Sequence, residues 1–284
     1  MQKLLLLAVA LSLLGLGFAF IERRAPAVPG QVRPPGSIRT DLGHLLITPL
    51  LSRFVTAAAI GSGLIGLALI TGERWTADAV LEARASSSWV GSWPLAIQLL
   101  GLVLLSDLLG YWVHRWYHEH PKLWRLHAIH HSTRAMDWLA AVRTHPLAAG
   151  LSRLLHLLPL VLLGFDPRLI AGFAPFLLLY GLLLHANVRW RFGPLRFVLA
   201  SPAFHRWHHA ASSGSGPVNL AGLFPIWDLI FGTYYLPEHP PARCGIADDA
   251  PPEGFWAQLR APFRARSAPT RSGRAWARAA GSPR

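Results

Sequence analysis

Six histidines fall within the eighteen residues HRWYHEHPKLWRLHAIHH, from His114 to His131. Residues three and four apart share a helix face, so His114 and His118 project together, as do His127, His130 and His131. A later box, HRWHH, repeats the spacing with His205, His208 and His209, and His185 is a separate candidate. Imidazole suits iron, zinc and copper. A structural zinc is closed by four ligands and a catalytic zinc by about three, so eight or nine imidazoles argue for two metals. Soluble carboxylate-bridged di-iron bundles draw Glu and Glu-x-x-His from four helices, a pattern this sequence does not supply. Here the ligands would be nearly all neutral imidazoles. The single cysteine, Cys244, excludes a disulfide framework, a Cys-ligated iron–sulfur cluster and a cysteine zinc knuckle.

Other polar residues accompany the boxes. Asp107, Tyr111, His114 and His118 follow steps of four, three and four and form one helical stripe. A carboxylate inside an apolar helix is costly and takes a partner. The expected partner of Asp107 is the second ring N–H of His114 or of a histidine on a neighbouring helix, with an interfacial arginine as the alternative. Glu119 could be a ligand, a bridging carboxylate or a solvated residue. His120 precedes Pro121 outside the helix and is unassigned. His145, in RTHP with Arg143 two residues before it, could bind metal or orient a ligand. His44, His156 and His239 lack clustered partners and default to structural or surface roles.

The elements that must carry these residues are apolar. Of the 284 residues 52% are hydrophobic and 14% charged, the mean hydropathy is +0.34, and several runs approach the roughly 20 residues of a membrane helix. The formal charge of +13 sits mainly between apolar runs and near the C-terminal end, which favours anionic lipid headgroups over nucleic acid. The run Leu4 to Ile21, closed by Glu22, Arg23 and Arg24, reads as a membrane anchor rather than a signal peptide. Residues 25–43 are a Pro/Gly-rich linker carrying Arg33 and Arg39. Phe54 to Ile70 is a second span, and the loop 71–93, with Glu73, Arg74, Asp78, Glu82 and Arg84, lacks a positive excess. The positive-inside rule then places 22–43 in the cytoplasm and 71–93 outside, so a third span, Pro94 to Val113, delivers His114 to the cytoplasmic face. Leu147 to Leu163 and Leu169 to Leu184, separated by the turn formers of GFDPR, make a full or partly re-entrant hairpin. The expected fold is an all-α integral membrane bundle of four or five transmembrane or re-entrant helices. It divides into an anchor and linker (1–43), a membrane domain (44–240, core motifs 107–237) and a basic, disordered tail (241–284).

Read in order, DLLGYWVHRWYH, LWRLHAIHHS, MDWLAAVRTHP, HANVRW, SPAFHRWHHA and LFPIWDLIFGTYYLP resemble the fatty acid hydroxylase and sterol desaturase superfamily of histidine-rich, membrane-bound di-iron oxygenases. The resemblance implies that His114, His118, His127, His130, His131, His185, His205, His208 and His209 are catalytic metal ligands. It also implies a cytosolic helical cap holding two iron ions, which zinc can replace in purified protein. Asn187 and Asn219 join Asp107, Glu119 and His145 as residues that support or complete the site. Glu119 looks like the alkylglycerol monooxygenase branch and its bacterial relatives, a feature that does not identify a substrate; the expected location is a bacterial inner membrane, with the histidine cluster and the C-terminus cytoplasmic. The stretch after the last box, HHAASSGSGPVN, has Ser, Gly and Pro where relatives often carry charge, so the loop over the site departs from the pattern. The implied reaction is O2-dependent hydroxylation or desaturation of an aliphatic C–H bond of a fatty acyl, alkyl ether or sterol-like lipid. No G-x-G-x-x-G fingerprint or cysteine cluster is present, so a separate cytochrome, ferredoxin or reductase would supply electrons. The alternative from another class is a membrane electron carrier with haem held by axial histidines. That reading expects ligands at mid-span rather than beyond the ends of apolar runs.

Overall fold

The computed structural model describes residues 2–72, 75–80, 89–211 and 216–264. Among them the secondary structure is helical, apart from the isolated bridges Pro26–Val188 and Ala210–Cys244. The main helices are α1 (Gln2–Arg24), α2 (Ser37–Thr71), α3 (Leu95–Glu119), α4 (Pro121–His127), α5 (Pro146–Leu162) and α6 (Pro167–His185). Three short ones follow: α7 (Pro202–His208), α8 (Ile226–Ile230) and α9 (Phe255–Arg260). Three described helices, α2, α3 and α6, are long and apolar enough to cross a membrane, and α5 is a shorter apolar helix. Of the residues used to read the external loop, Glu73, Arg74, Glu82 and Arg84 lie outside the described residues. So do 212–215 of the loop after the last box and 265–284 of the tail.

Helix α2 begins inside the stretch expected to be a linker. Its lower half contains the apolar run Phe54 to Ile70, but it starts at Ser37, after Gly36 with φ 81°. Ser37, Thr40, Asp41, His44, Thr48 and Ser52 are all buried, and their spacing puts them on one helix face. Proline, glycine and arginine dominate the surrounding composition and hide this polar stripe from a search for apolar periodicity.

The stripe packs against Arg143, which is fully buried. The Arg143 guanidinium pairs with Asp41 and with Glu253 (3.2 Å), and donates to Ser37 Oγ at 3.0 Å. Arg33 joins Asp41 (2.7 Å) to Asp137. The first part of the expected disordered tail is also ordered here. Phe255 and Gln258 of α9 are buried against α2, Gln258 Oε1 faces His44 Nε2 at 2.9 Å, and Gln258 donates to Ser132 Oγ at 3.2 Å. A tail dominated by Pro, Ala and Arg conceals two residues that fit a waiting polar face.

Close approach of α2 and α5 depends on Gly150, where an added Cβ would lie 2.6 Å from Val55 Cγ1 and 3.3 Å from Ser52 O. Helix α5 also packs on α3 through Val113, Tyr117 and Ala148, and Tyr117 donates to Ala148 O at 2.9 Å. Prolines open α4, α5 and α7, a position whose missing N–H costs nothing. These breaks turn the chain at the histidine-bearing ends.

Candidate metal centre

The last turns of α3 carry His114 and His118, α4 ends on His127, and a 3₁₀ turn holds His130 and His131. His185 closes α6, while α7 and its C-cap supply His205, His208 and His209. All nine converge, in two groups. His114, His118, His127, His131 and His208 form one, and His130, His185, His205 and His209 the other. Within each group the ligand-capable atoms lie within 4.8 Å of one another. The groups adjoin, with the His131 and His209 rings stacked at 4.3 Å.

This partition differs from one cluster per box. His127 and His131 serve the first group while His130 serves the second, because α4 stops at His127 and the chain tightens before His130. The later box divides likewise, with His208 in the first group and His205 and His209 in the second.

Four backbone carbonyls set ring orientation. His114 Nδ1 meets Leu220 O and His208 Nδ1 meets Val218 O, each at 2.8 Å. His185 Nδ1 meets Gly181 O at 2.8 Å and His130 Nδ1 meets Arg143 O at 3.2 Å. A carbonyl only accepts, so these four rings carry their proton on Nδ1 and aim an Nε2 lone pair inward. His130 Nε2 and His185 Nε2 then face each other at 3.2 Å as two acceptors. In the other group His114 and His127 Nε2 are 3.1 Å apart, and His131 and His208 Nε2 also 3.1 Å. Such edges suit nitrogens about 2.1 Å from a shared cation. Among the described residues His118 Nε2, His205 Nδ1 and both His209 nitrogens are buried without a hydrogen-bond partner. Burial, and after it neighbouring imidazoles, push His127, His130, His131, His205, His208 and His209 well below the ordinary imidazole range, so their rings are neutral. Facing lone pairs, orphaned nitrogens and neutral rings all fit metal ions. The rings edge one another as closely as 4.4 Å, as for His114 and His208, which leaves no plane between them for a porphyrin.

The other flagged residues have different partners. Asp107 does not touch a histidine ring. It accepts from the backbone N–H of Leu223 and Phe224, each at 2.8 Å, and from Trp227 Nε1 at 3.0 Å. That partner lies more than a hundred residues away, so local spacing could not reveal it. Glu119 pairs with Arg115 at 2.6 Å, is 41% exposed and stands outside both groups. His145 also stands outside them; its Nδ1 accepts from Leu147 N at the start of α5 and its Nε2 donates to Leu259 O. Asn187 bonds both the N–H and the carbonyl of Val28 and accepts from Arg206. Asn219 bonds the backbone of Phe204 and Tyr235. His120 Nδ1 bonds back to Trp116 O and His156 Nδ1 to Ser152 O, and the His156 ring lies against Gly110 of α3. Residues not singled out in sequence include Asp228, whose carboxylate accepts from Leu220 N and Ala221 N, and Arg143, whose carbonyl orients His130. Their signal is tertiary.

Comparison with known proteins fits this geometry. An ornithine lipid hydroxylase, OlsE, of Rhizobium tropici is 34% identical over 246 residues, covering 86% of this chain and 72% of that protein. Alkylglycerol monooxygenases of Danio rerio and Homo sapiens are each 34% identical over 146 residues, or 51% of this chain. The match spans about a third of their length, 31% and 32%. A Delta(7)-sterol 5(6)-desaturase, ERG3A, of Gibberella zeae is 28% identical over 149 residues, 52% of this chain and 40% of that protein. No solved structure matches. The model of the fatty acid hydroxylase family matches residues 99–233, a span that contains every convergent histidine, and with the OlsE likeness along most of both proteins it makes this chain a member of that family.

Proposed function

We propose that this chain is a membrane-bound di-iron oxygenase that hydroxylates, or desaturates, an aliphatic C–H bond of a bilayer lipid. The observation that carries the reading is the meeting of nine imidazoles, in two adjoining groups, at the ends of apolar helices. His114, His118, His127, His131 and His208 would hold one iron and His130, His185, His205 and His209 the other, with zinc able to replace iron in purified protein. Iron bound there supplies O2 activation and removal of hydrogen from an unactivated carbon. Hydroxylation balances as R–H plus O2, two electrons and two protons giving R–OH and water. Desaturation takes the same inputs and gives an alkene and two waters.

The chain's own part is positional. Carbonyls at Val218, Leu220, Gly181 and Arg143 keep proton-bearing nitrogens outward and lone pairs inward. An all-imidazole shell brings no negative charge, so metal ions held there would keep their positive charge. The apolar helices offer a path for a lipid chain, and the burial of the rings limits water. We place the histidine-bearing ends as a cap on the cytoplasmic side of a bacterial inner membrane, with 44–240 as the catalytic domain. A separate cytochrome, ferredoxin or reductase would dock there. The exposed Arg189 and the partly exposed Arg196 and Arg191 provide basic charge for an acidic donor. The OlsE likeness makes an amino-acid-headed lipid the first substrate to test, ahead of alkyl ether and sterol-like lipids.

The test is lipid mass spectrometry of cells with and without the protein, alongside iron per purified chain. A gain of one oxygen or a loss of two hydrogens in one lipid class, lost in His208→Ala, is expected. A purified chain without bound metal, or an unchanged lipid profile across ornithine, ether and sterol-like lipids, would overturn the reading.

A further inference from the structure

The five-histidine group leans on one short piece of backbone. Val218 O and Leu220 O, on either side of Asn219, accept the Nδ1 protons of His208 and His114. Asn219 sits at φ 57°, a left-handed conformation that turns the two flanking carbonyls toward different rings. Its N–H donates to Thr233 O at 2.9 Å, its Nδ2 to Phe204 O and Tyr235 O at 2.8 and 2.6 Å, and its Oδ1 accepts from Tyr235 N at 2.8 Å.

Two buried carboxylates fix the rest of the segment. Asp228 is fully buried; its Oδ1 accepts from Leu220 N at 2.7 Å and the Thr233 hydroxyl at 2.6 Å, and its Oδ2 from Ala221 N at 2.9 Å. Asp107 holds Leu223, Phe224 and Trp227 immediately downstream. Among the described residues neither carboxylate pairs with a lysine or arginine. Buried charge without an ion-pair partner is expensive, and a cationic centre one hydrogen bond beyond the segment offsets it. The four-histidine group has other supports. His130 rests on Arg143 O and His185 on Gly181 O within its own helix.

We propose that Asp228, backed by Asp107, is a positioning residue for the five-histidine site alone, so that the two metal sites are supported by separate parts of the chain. The inference rests on the proposed metal centre. It predicts that damage at Asp228 loosens one ion and spares the other. Replacing an outer partner of a ligating histidine costs about 10- to 100-fold in metal affinity. In Asp228→Asn, one acceptor oxygen becomes an amide donor that cannot accept from a backbone N–H, so one of the two bonds to Leu220 N and Ala221 N is lost and the hold on the segment that orients His114 weakens.

The experiment loads full-length protein with ferrous iron in detergent and follows release to a ferrous chelator. Wild type should release its ions slowly. Asp228→Asn should release one ion about 10- to 100-fold more readily, with the second unchanged. Adding His209→Ala should loosen that second ion as well, whereas Asp107→Asn should loosen the same ion as Asp228→Asn, by less. A melt of the iron-free variant matching wild type would separate positioning from general damage. Should Asp228→Asn fail to fold, Thr233→Val, which removes the hydroxyl bonded to Asp228 and to Tyr111 OH, should loosen the same single ion by a smaller factor. Release of both ions together, or of neither, in a folded variant overturns the proposal while leaving the metal centre standing. A wild-type chain that takes up no iron overturns both.

Discussion

Nδ1 of His130 and of His208 is held by a backbone carbonyl, so each ring has one nitrogen left to offer inward. His130→Ala and His208→Ala should therefore bring lipid oxidation to background and lower iron per chain. His239→Ala, whose exposed ring meets Pro240 O and the edge of Trp207 and belongs to neither histidine group, should change neither. Arg143 makes a different prediction. Its side chain is wholly buried between Asp41 and Glu253, so Arg143→Ala strands buried charge and should destabilise the fold by about 3–5 kcal/mol, read by denaturation in detergent. The convergence of all nine histidines was legible in the sequence, because residue type and helical spacing group them. Their division into five and four was not, because a 3₁₀ turn of three residues moves His130 off the face shared by His127 and His131. Asp107 was legible as a buried carboxylate needing a partner, but the partner was set by a segment far along the chain.

At the level of elements, apolar runs located α3, α5 and α6 closely, since each buries or exposes a continuous hydrophobic face. Helix α2 was half legible. Its upper turns are polar on the side that faces protein, so they look like a linker to any reading that equates burial with hydrophobicity. Gly150 lets α5 lie close against Val55 and Ser52 of α2. Gly150→Ala should cost about 1–3 kcal/mol by overpacking against Val55, and adding Val55→Ala should recover much of it in the same melt. Phe255 and Gln258 show why the early tail was misread: short helices docked by two side chains have too little periodicity to stand out.

For the whole molecule, the six imidazoles of the two histidine groups that lie outside the spanning segments make stability a function of pH. Their folded pKa values are depressed, so in the metal-free protein this contribution is present above the unfolded value of about 6.5 and is lost as pH falls, because the unfolded chain then binds more protons. The melting temperature of metal-free protein should drop between about pH 7.5 and about pH 5.5 with a slope of several protons; a flat profile would mean that the rings titrate freely. Helix α3 also acts as a ruler. From Leu95 to His114 it rises about 29 Å, close to the hydrocarbon thickness of a bilayer, about 30 Å. With α3 upright on the proposed topology, the reacting carbon must come to the edge of the oily layer, so the oxygen should be found in a lipid's headgroup or its first few carbons. Fragment-ion mass spectrometry reads that position directly, and a hydroxyl near the methyl terminus would mean that the chain folds back on itself to reach the histidines.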